Sequence, residues 1–168
     1  MKKGLIGFAV AAIAASLLTG CGEKKAEITI DNPVVRSIDA MSMKGEDGKY
    51  MSASFMTIKN SGNADVTLVG AESDVADEMQ IHEVVNGKMQ QMADGLVIAA
   101  GKSVKLRMGG YHVMFLGLNK DLKVGDEVTV KLLFSDDSSI TYTAPVKDVP
   151  MTDETYGAAV SGGAMAMK

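Results

Sequence analysis

Short runs of alternating apolar and polar residues follow one another from about residue 26 to residue 145, and each ends at Gly, Pro, Asn, Asp or Ser. Successive side chains of a strand point to opposite faces, so this alternation predicts half-buried β-strands. The predicted strands are 26–38, 50–58, 66–69, 79–85, 88–92, 96–99, 104–108, 111–118, 128–134 and 140–145. Helical periodicity is limited to one turn near 73–78. Short strands at close spacing predict a single all-β domain, either a sandwich or a barrel.

Asn86-Gly87 is a strong signal for a two-residue hairpin turn between two of these strands. Such a turn places Val84 opposite Met89, which puts Met89 on the same face as His82 and diagonal to it. Met92 falls on the opposite face, unless a bulge in the second strand reverses the order. The hairpin therefore predicts that the His82 side chain lies within reach of the Met89 thioether.

The N-terminus has the pattern of a secretory signal, since Lys2 and Lys3 precede an apolar run over 5–18. That run is shorter than the 20 or so residues that a membrane span needs. The following segment 18–21, Leu-Thr-Gly-Cys, resembles a bacterial lipobox, which implies cleavage before Cys21 and lipidation of its thiol. The alternative is an ordinary signal peptide with an incidental cysteine.

These features predict four regions along the chain. Residues 1–20 are the lipoprotein signal peptide, 21–27 a lipid-anchored linker, 28–148 the β-sandwich domain and 149–168 a flexible tail that contains methionines. The tail is rich in Gly, Ala and Ser, which bury little apolar surface.

Composition excludes several classes of function. Cys21 is the only cysteine, so its lipidation would leave no thiol for catalysis, a disulfide or a thiolate zinc site. A net charge of −4 with dispersed basic residues argues against nucleic acid as a partner. No G-x-S-x-G or H-E-x-x-H motif occurs, and we expect no enzyme.

The candidate chemistry lies in the two histidines and some of the 13 methionines. His112 and Met114 are two apart on a predicted strand and therefore share a face. An imidazole beside a thioether is a soft ligand pair that selects Cu(I). If His82 and Met89 lie nearby, the chain holds a site of two His and two Met. The plainer alternative is a pair of hydrogen-bonded histidines and methionines that fill the core.

Several segments resemble the periplasmic copper(I) chaperones called PCu(A)C. The most specific is Gly109–Leu118, which contains Gly-Gly-Tyr-His-Val-Met. The others are Ile28–Pro33, Met56–Asn60, Leu68–Ala71, His82–Met89 and Gly101. The resemblance spans roughly 28–145. It implies a cupredoxin-like, Ig-like β-sandwich that lacks the blue-copper site and holds one Cu(I) through two His and two Met near its surface.

The family pattern is a His, ten residues, a Met, twenty-one residues and then His-x-Met. His82 matches the first His, and His112 and Met114 match the final pair. The middle Met departs from the pattern: Met89 leaves six and twenty-two residues, and Met92 leaves nine and nineteen. We predict Met89, because it shares a face with His82, and keep Met92 in reserve.

The resemblance also implies delivery of copper to an accepting protein, such as cytochrome c oxidase subunit II or a Sco-type protein. The secretory signal and the lipobox-like segment imply a location in the periplasm or cell envelope, with the chain anchored to a membrane by lipid at Cys21. Two alternatives stay open, a copper storage or resistance lipoprotein and a metal-free structural β-sandwich lipoprotein. The Met-x-Met pairs at 41–43 and 165–167 suggest a second, weaker copper-capturing site.

Overall fold

The structure is a computed structural model that describes residues 24–38, 42, 44–150 and 155–156. The described residues form eleven strands: β1 (Ile28–Arg36), β2 (Ser52–Asn60), β3 (Val66–Glu72), β4 (Ala76–Val85), β5 (Lys88–Gln91), β6 (Leu96–Ile98), β7 (Ser103–Leu106), β8 (His112–Leu118), β9 (Glu127–Phe134), β10 (Ser139–Lys147) and β11 (Thr155–Tyr156). Within these ranges, no helix is long and apolar enough to cross a membrane. The predicted all-β class is confirmed.

Several predictions concern residues outside the described ranges. They are the signal peptide 1–20, the lipidation of Cys21, and the methionine pairs of 41–43 and 165–167. These stay predictions.

The strands form two packed sheets. One has the order β11-β5-β4-β8-β2-β1, with β7 pairing β2 beyond the end of β8, and the other has the order β10-β9-β3-β6. β1 joins them, because it pairs antiparallel with β2 and its last residues pair in parallel with β10. β11 lies within the predicted tail and pairs in parallel with β5.

Asn32-Pro33 produces the irregularity that lets β1 pass from one sheet to the other. Asn32 has a φ of 50°, and the register between β1 and β2 shifts between Asp31 and Val34. Pro33 has no N–H to donate, and proline within sheets is confined to edges and bulges. The bend that results carries the end of β1 toward β10.

The β4–β5 hairpin has the register that its turn predicts. Val84 is the partner of Met89, and His82 is the partner of Gln91. Asn86 and Gly87 have φ values of 53° and 76°, and two positive values are the mark of the type I′ turn that matches strand twist. β4, however, begins at Ala76, three residues before the predicted start.

The main core lies between the two sheets. In β9 every second side chain points into this core. The residues between them are more exposed than the buried ones, which are Val128, Val130, Leu132 and Phe134. In β8 the side chains of Val113 and Phe115 point into this core, whereas Met114 and Leu116 face the outside of the sandwich. The outer face of this sheet is therefore available for a site.

Shortening a core side chain should destabilise the sandwich without touching that outer face. Leu132 is fully buried, and Leu132→Ala should lower the free energy of unfolding by about 2–5 kcal/mol because it leaves a cavity. Val97→Ala is the control, since Val97 is 58% exposed and should cost less than about 0.5 kcal/mol. Urea unfolding measures both, and equal losses would contradict the assignment of the core.

Candidate metal site

The antiparallel pairing of β4 with β8 brings the two histidines together. His82 and His112 are direct partners in the register, and their ring centroids are 5.6 Å apart with the planes at 57°. Both side chains project from the outer face, yet they are only 1% and 2% exposed. Two neighbouring imidazoles, shielded from solvent, are a suitable pair of ligands for one metal ion.

An apolar group of side chains borders His112 on the outer face. Met51, Ala53, Phe55 and Met114 are buried together on the outer face, and we call them the outer-face cluster. Four partly buried residues pack against it, Val34, Met108, Leu116 and Val149. The Phe55 ring lies 6.3 Å from the His112 ring, between centroids. The histidine pair therefore adjoins a second, smaller apolar core.

A hydrogen bond to the backbone orients the His112 ring. Its Nδ1 lies 3.0 Å from the Gly110 carbonyl oxygen, which can only accept, so Nδ1–H is the donor. In the neutral ring this places the lone pair on Nε2. The outer partner of a metal-binding histidine commonly selects the tautomer in this way.

A chain of polar side chains orients His82 in the same manner. Gln80 donates through Nε2 to Glu78 Oε1 at 2.7 Å, which turns Gln80 Oε1 toward His82 Nε2, also at 2.7 Å. His82 Nε2–H is then the donor, and the lone pair lies on Nδ1.

Burial keeps the His82 ring neutral. Desolvation, with a smaller contribution from His112, lowers the pKa of His82 to about 4. A buried imidazole resists protonation because the charged form loses its hydration. At neutral pH the ring therefore carries a lone pair that can bind a metal.

The two predicted methionines lie on the same face. Met114 is two residues after His112 and 2% exposed, while Met89 is 6% exposed and is the partner of Val84. Met92 packs instead against the inner core. The structure thus groups Met89 and Met114 with the histidines on the outer face, and it separates Met92 from them. The assignment of these four side chains as ligands stays a prediction.

Some residues on this face are not predicted from the sequence. Gln80 orients a histidine, Phe55 adjoins one, and Met51 and Met108 add thioethers to the same apolar group. The alternation in β2 indicates that Phe55 and Ala53 share a face, but only the pairing of β2 with β8 places that face beside His112. Among the described residues, His, Cys, Asp and Glu form no group of three or more that could hold a metal.

The chain matches a family model described as "Putative lipoprotein LpqE-like" over residues 28–146. It is also 40% identical over 113 residues to the "Putative lipoprotein Lxx21020" of Leifsonia xyli subsp. xyli, which covers 65% of this chain and 68% of that protein. The matched region extends from the start of β1 to near the end of β10.

Solved structures share the fold. The copper-bound PCuAC domain from PmoF2 has a TM-score of 0.58 and 21% identity, covering 73% of this chain and 93% of that domain. CuI-DR1885 from Deinococcus radiodurans has a TM-score of 0.57 and 25% identity, covering 71% of this chain and 76% of that one. The resemblance to PCu(A)C domains, and the β-sandwich that it implies, are confirmed.

The lowered pKa of His82 predicts how stability depends on pH. An unfolded histidine protonates near pH 6.5 and folded His82 only near about 4, so between these values the unfolded chain binds more protons. The free energy of unfolding is then highest above pH 6.5 and falls as the pH drops toward 4. Between pH 7 and pH 5 we expect the titration of His82 alone to lower the free energy of unfolding by about 2 kcal/mol.

Urea unfolding of the metal-free chain at the two pH values measures this effect. The matched control is His82→Gln, which removes the titrating group and should lose that part of the pH dependence. Identical pH dependence in both proteins would contradict the prediction.

Proposed function

The chain belongs to the LpqE-like lipoprotein family, and on this premise we propose that it is an extracytoplasmic Cu(I) metallochaperone. It binds one Cu(I) through His82, His112, Met89 and Met114 and delivers the ion to a partner protein. One observation carries the proposal: two buried histidines face each other across β4 and β8, with Met114 on the same buried face.

The chemistry of these side chains suits Cu(I) as cargo. Thioethers and imidazoles are neutral donors, and soft sulfur ligands favour Cu(I) over the harder divalent ions. The low pKa of His82 keeps one nitrogen donor available in a mildly acidic compartment. The contacts from Gln80 and Gly110 hold the rings in position, so little orientation has to be imposed when the ion binds.

Similarity to known domains supports the same conclusion. The PmoF2 domain is described as copper-bound and the Deinococcus radiodurans protein as its CuI form. Both share this sandwich over more than 70% of the present chain. We transfer Cu(I) binding to this chain because its two histidines and Met114 also match the family's metal-binding pattern.

Location and partner follow from the N-terminus and the family. We propose that Cys21 is lipidated after removal of 1–20 and anchors the sandwich to a membrane of the cell envelope, on its periplasmic side. Lipid anchoring is stable when two or more acyl chains insert. The proposed recipient is the copper centre of cytochrome c oxidase subunit II or a Sco-type protein.

Loss of a histidine should abolish tight copper binding. Residues 22–168 should bind one Cu(I) in anaerobic titration against a competing chelator, with nitrogen and sulfur ligands visible by X-ray absorption. His112→Ala should weaken binding by roughly 100-fold or more, since loss of a mere supporting contact already costs about 10–100-fold. Unchanged affinity in this variant would show that the histidines are structural. Transfer from the loaded chain to an acceptor then separates delivery from storage.

A matched pair of variants tests the fourth ligand. Met89→Leu should lower Cu(I) affinity by about tenfold or more, because leucine keeps the volume but removes the sulfur donor. Met92→Leu makes the same change on the inner side of the hairpin and should leave affinity unchanged. X-ray absorption should count one sulfur fewer in the first variant only. The reverse result would move the ligand to Met92.

A further inference from the structure

Met108 stands out among the methionines of the outer face. Met51, Met89 and Met114 are each no more than 6% exposed. Met108, by contrast, is only partly buried, and it packs against the outer-face cluster that contains Met114. The Met108 thioether therefore lies at the margin of the outer-face cluster, where it is open to solvent and also packs against the buried side chains.

A groove leads from solvent to this margin. It has a volume of about 340 Å³, and Met108 and Phe55 both line it. Phe55 is also the ring that lies beside His112, at 6.3 Å between centroids. Phe55 therefore borders both the groove and the histidine pair. The charged side chains that line the groove, Lys105 and Arg107, are both basic.

Met108 is also linked to His112 through the backbone. The turn between β7 and β8 is closed by Arg107 N–H donating to the Tyr111 carbonyl at 2.8 Å and by Gly110 N–H donating to the Arg107 carbonyl at 3.1 Å. The Gly110 carbonyl in turn accepts from His112 Nδ1. One turn thus presents the Met108 thioether and orients the His112 ring.

We propose that Met108 is an exchange ligand, which binds Cu(I) transiently as the ion enters or leaves the His82–His112 site through this groove. The proposal rests on the proposed copper-carrier function. Ligand exchange at Cu(I) proceeds when an incoming donor binds before an outgoing one departs, and a buried ligand set needs such a donor near solvent. One copper–sulfur bond forms and one copper–ligand bond breaks; copper stays Cu(I), and no proton moves.

The test separates rate from equilibrium. Met108→Leu keeps the apolar volume and removes the sulfur. Stopped-flow measurements would follow Cu(I) passing from the chain to bicinchoninate and back, beside an equilibrium titration against the same chelator. We expect both rates to fall by about fivefold or more while the dissociation constant stays within about twofold, because a transient ligand lowers the barrier in both directions equally.

Met79→Leu is the matched control. It makes the same chemical change at a partly buried methionine that packs against the inner core and does not line the groove, and it should leave both rates and the affinity unchanged. Met108→Gln, a second variant of similar length without sulfur, should reproduce the loss of rate. Thermal unfolding of each variant verifies that the chain is folded.

The outcomes distinguish this proposal from the function on which it rests. Unchanged rates in Met108→Leu, with normal one-to-one binding by the wild type, would overturn the exchange role alone. A weaker affinity with faster release would make Met108 a permanent ligand and would also overturn it. A wild-type chain that binds no Cu(I) would instead remove the copper-carrier function itself.

Discussion

The register between β4 and β8 is the constraint on which the candidate site depends. It places His82 directly opposite His112, and because side chains alternate along each strand it also sends Met114 to the same face. A slip of one residue in either strand would turn one imidazole into the inner core. The buried inner partners, Ile81 opposite Val113, fix the register, so the ordinary packing of the sandwich positions the polar groups on its other side.

Burying two imidazoles on an outer face requires compensation. A buried polar group without a partner costs roughly 1–3 kcal/mol. Gln80 and the Gly110 carbonyl each satisfy one ring nitrogen, and the low pKa of His82 avoids a buried charge. The outer-face cluster then supplies apolar contacts where most sheets would face water. Holding two oriented nitrogen donors in this way lowers the stability of the fold, as expected of a functional site.

Predictions from the local sequence pattern were correct where short-range interactions determine the structure. The Asn86-Gly87 turn dictates its own pairing, so the face shared by His82 and Met89 could be worked out from the sequence. The start of β4 could not be predicted from the sequence, because Ala76–Glu78 has no alternation of apolar and polar residues. Its pairing with β8 holds this segment in the strand. β11 was missed for the same reason, since two residues carry no pattern and pair only because β5 presents an edge.

The sequence alone establishes the all-β class, the hairpin register, the face that His112 and Met114 share, and the scarcity of other ligands. These depend on alternation, turn chemistry and composition, which are local. Strand pairing and packing were needed to establish that the histidines face each other, that Phe55 adjoins one of them, and that Met108 reaches the margin of the outer-face cluster. Those relations depend on which strands become neighbours, and strand order follows from burial of the whole core.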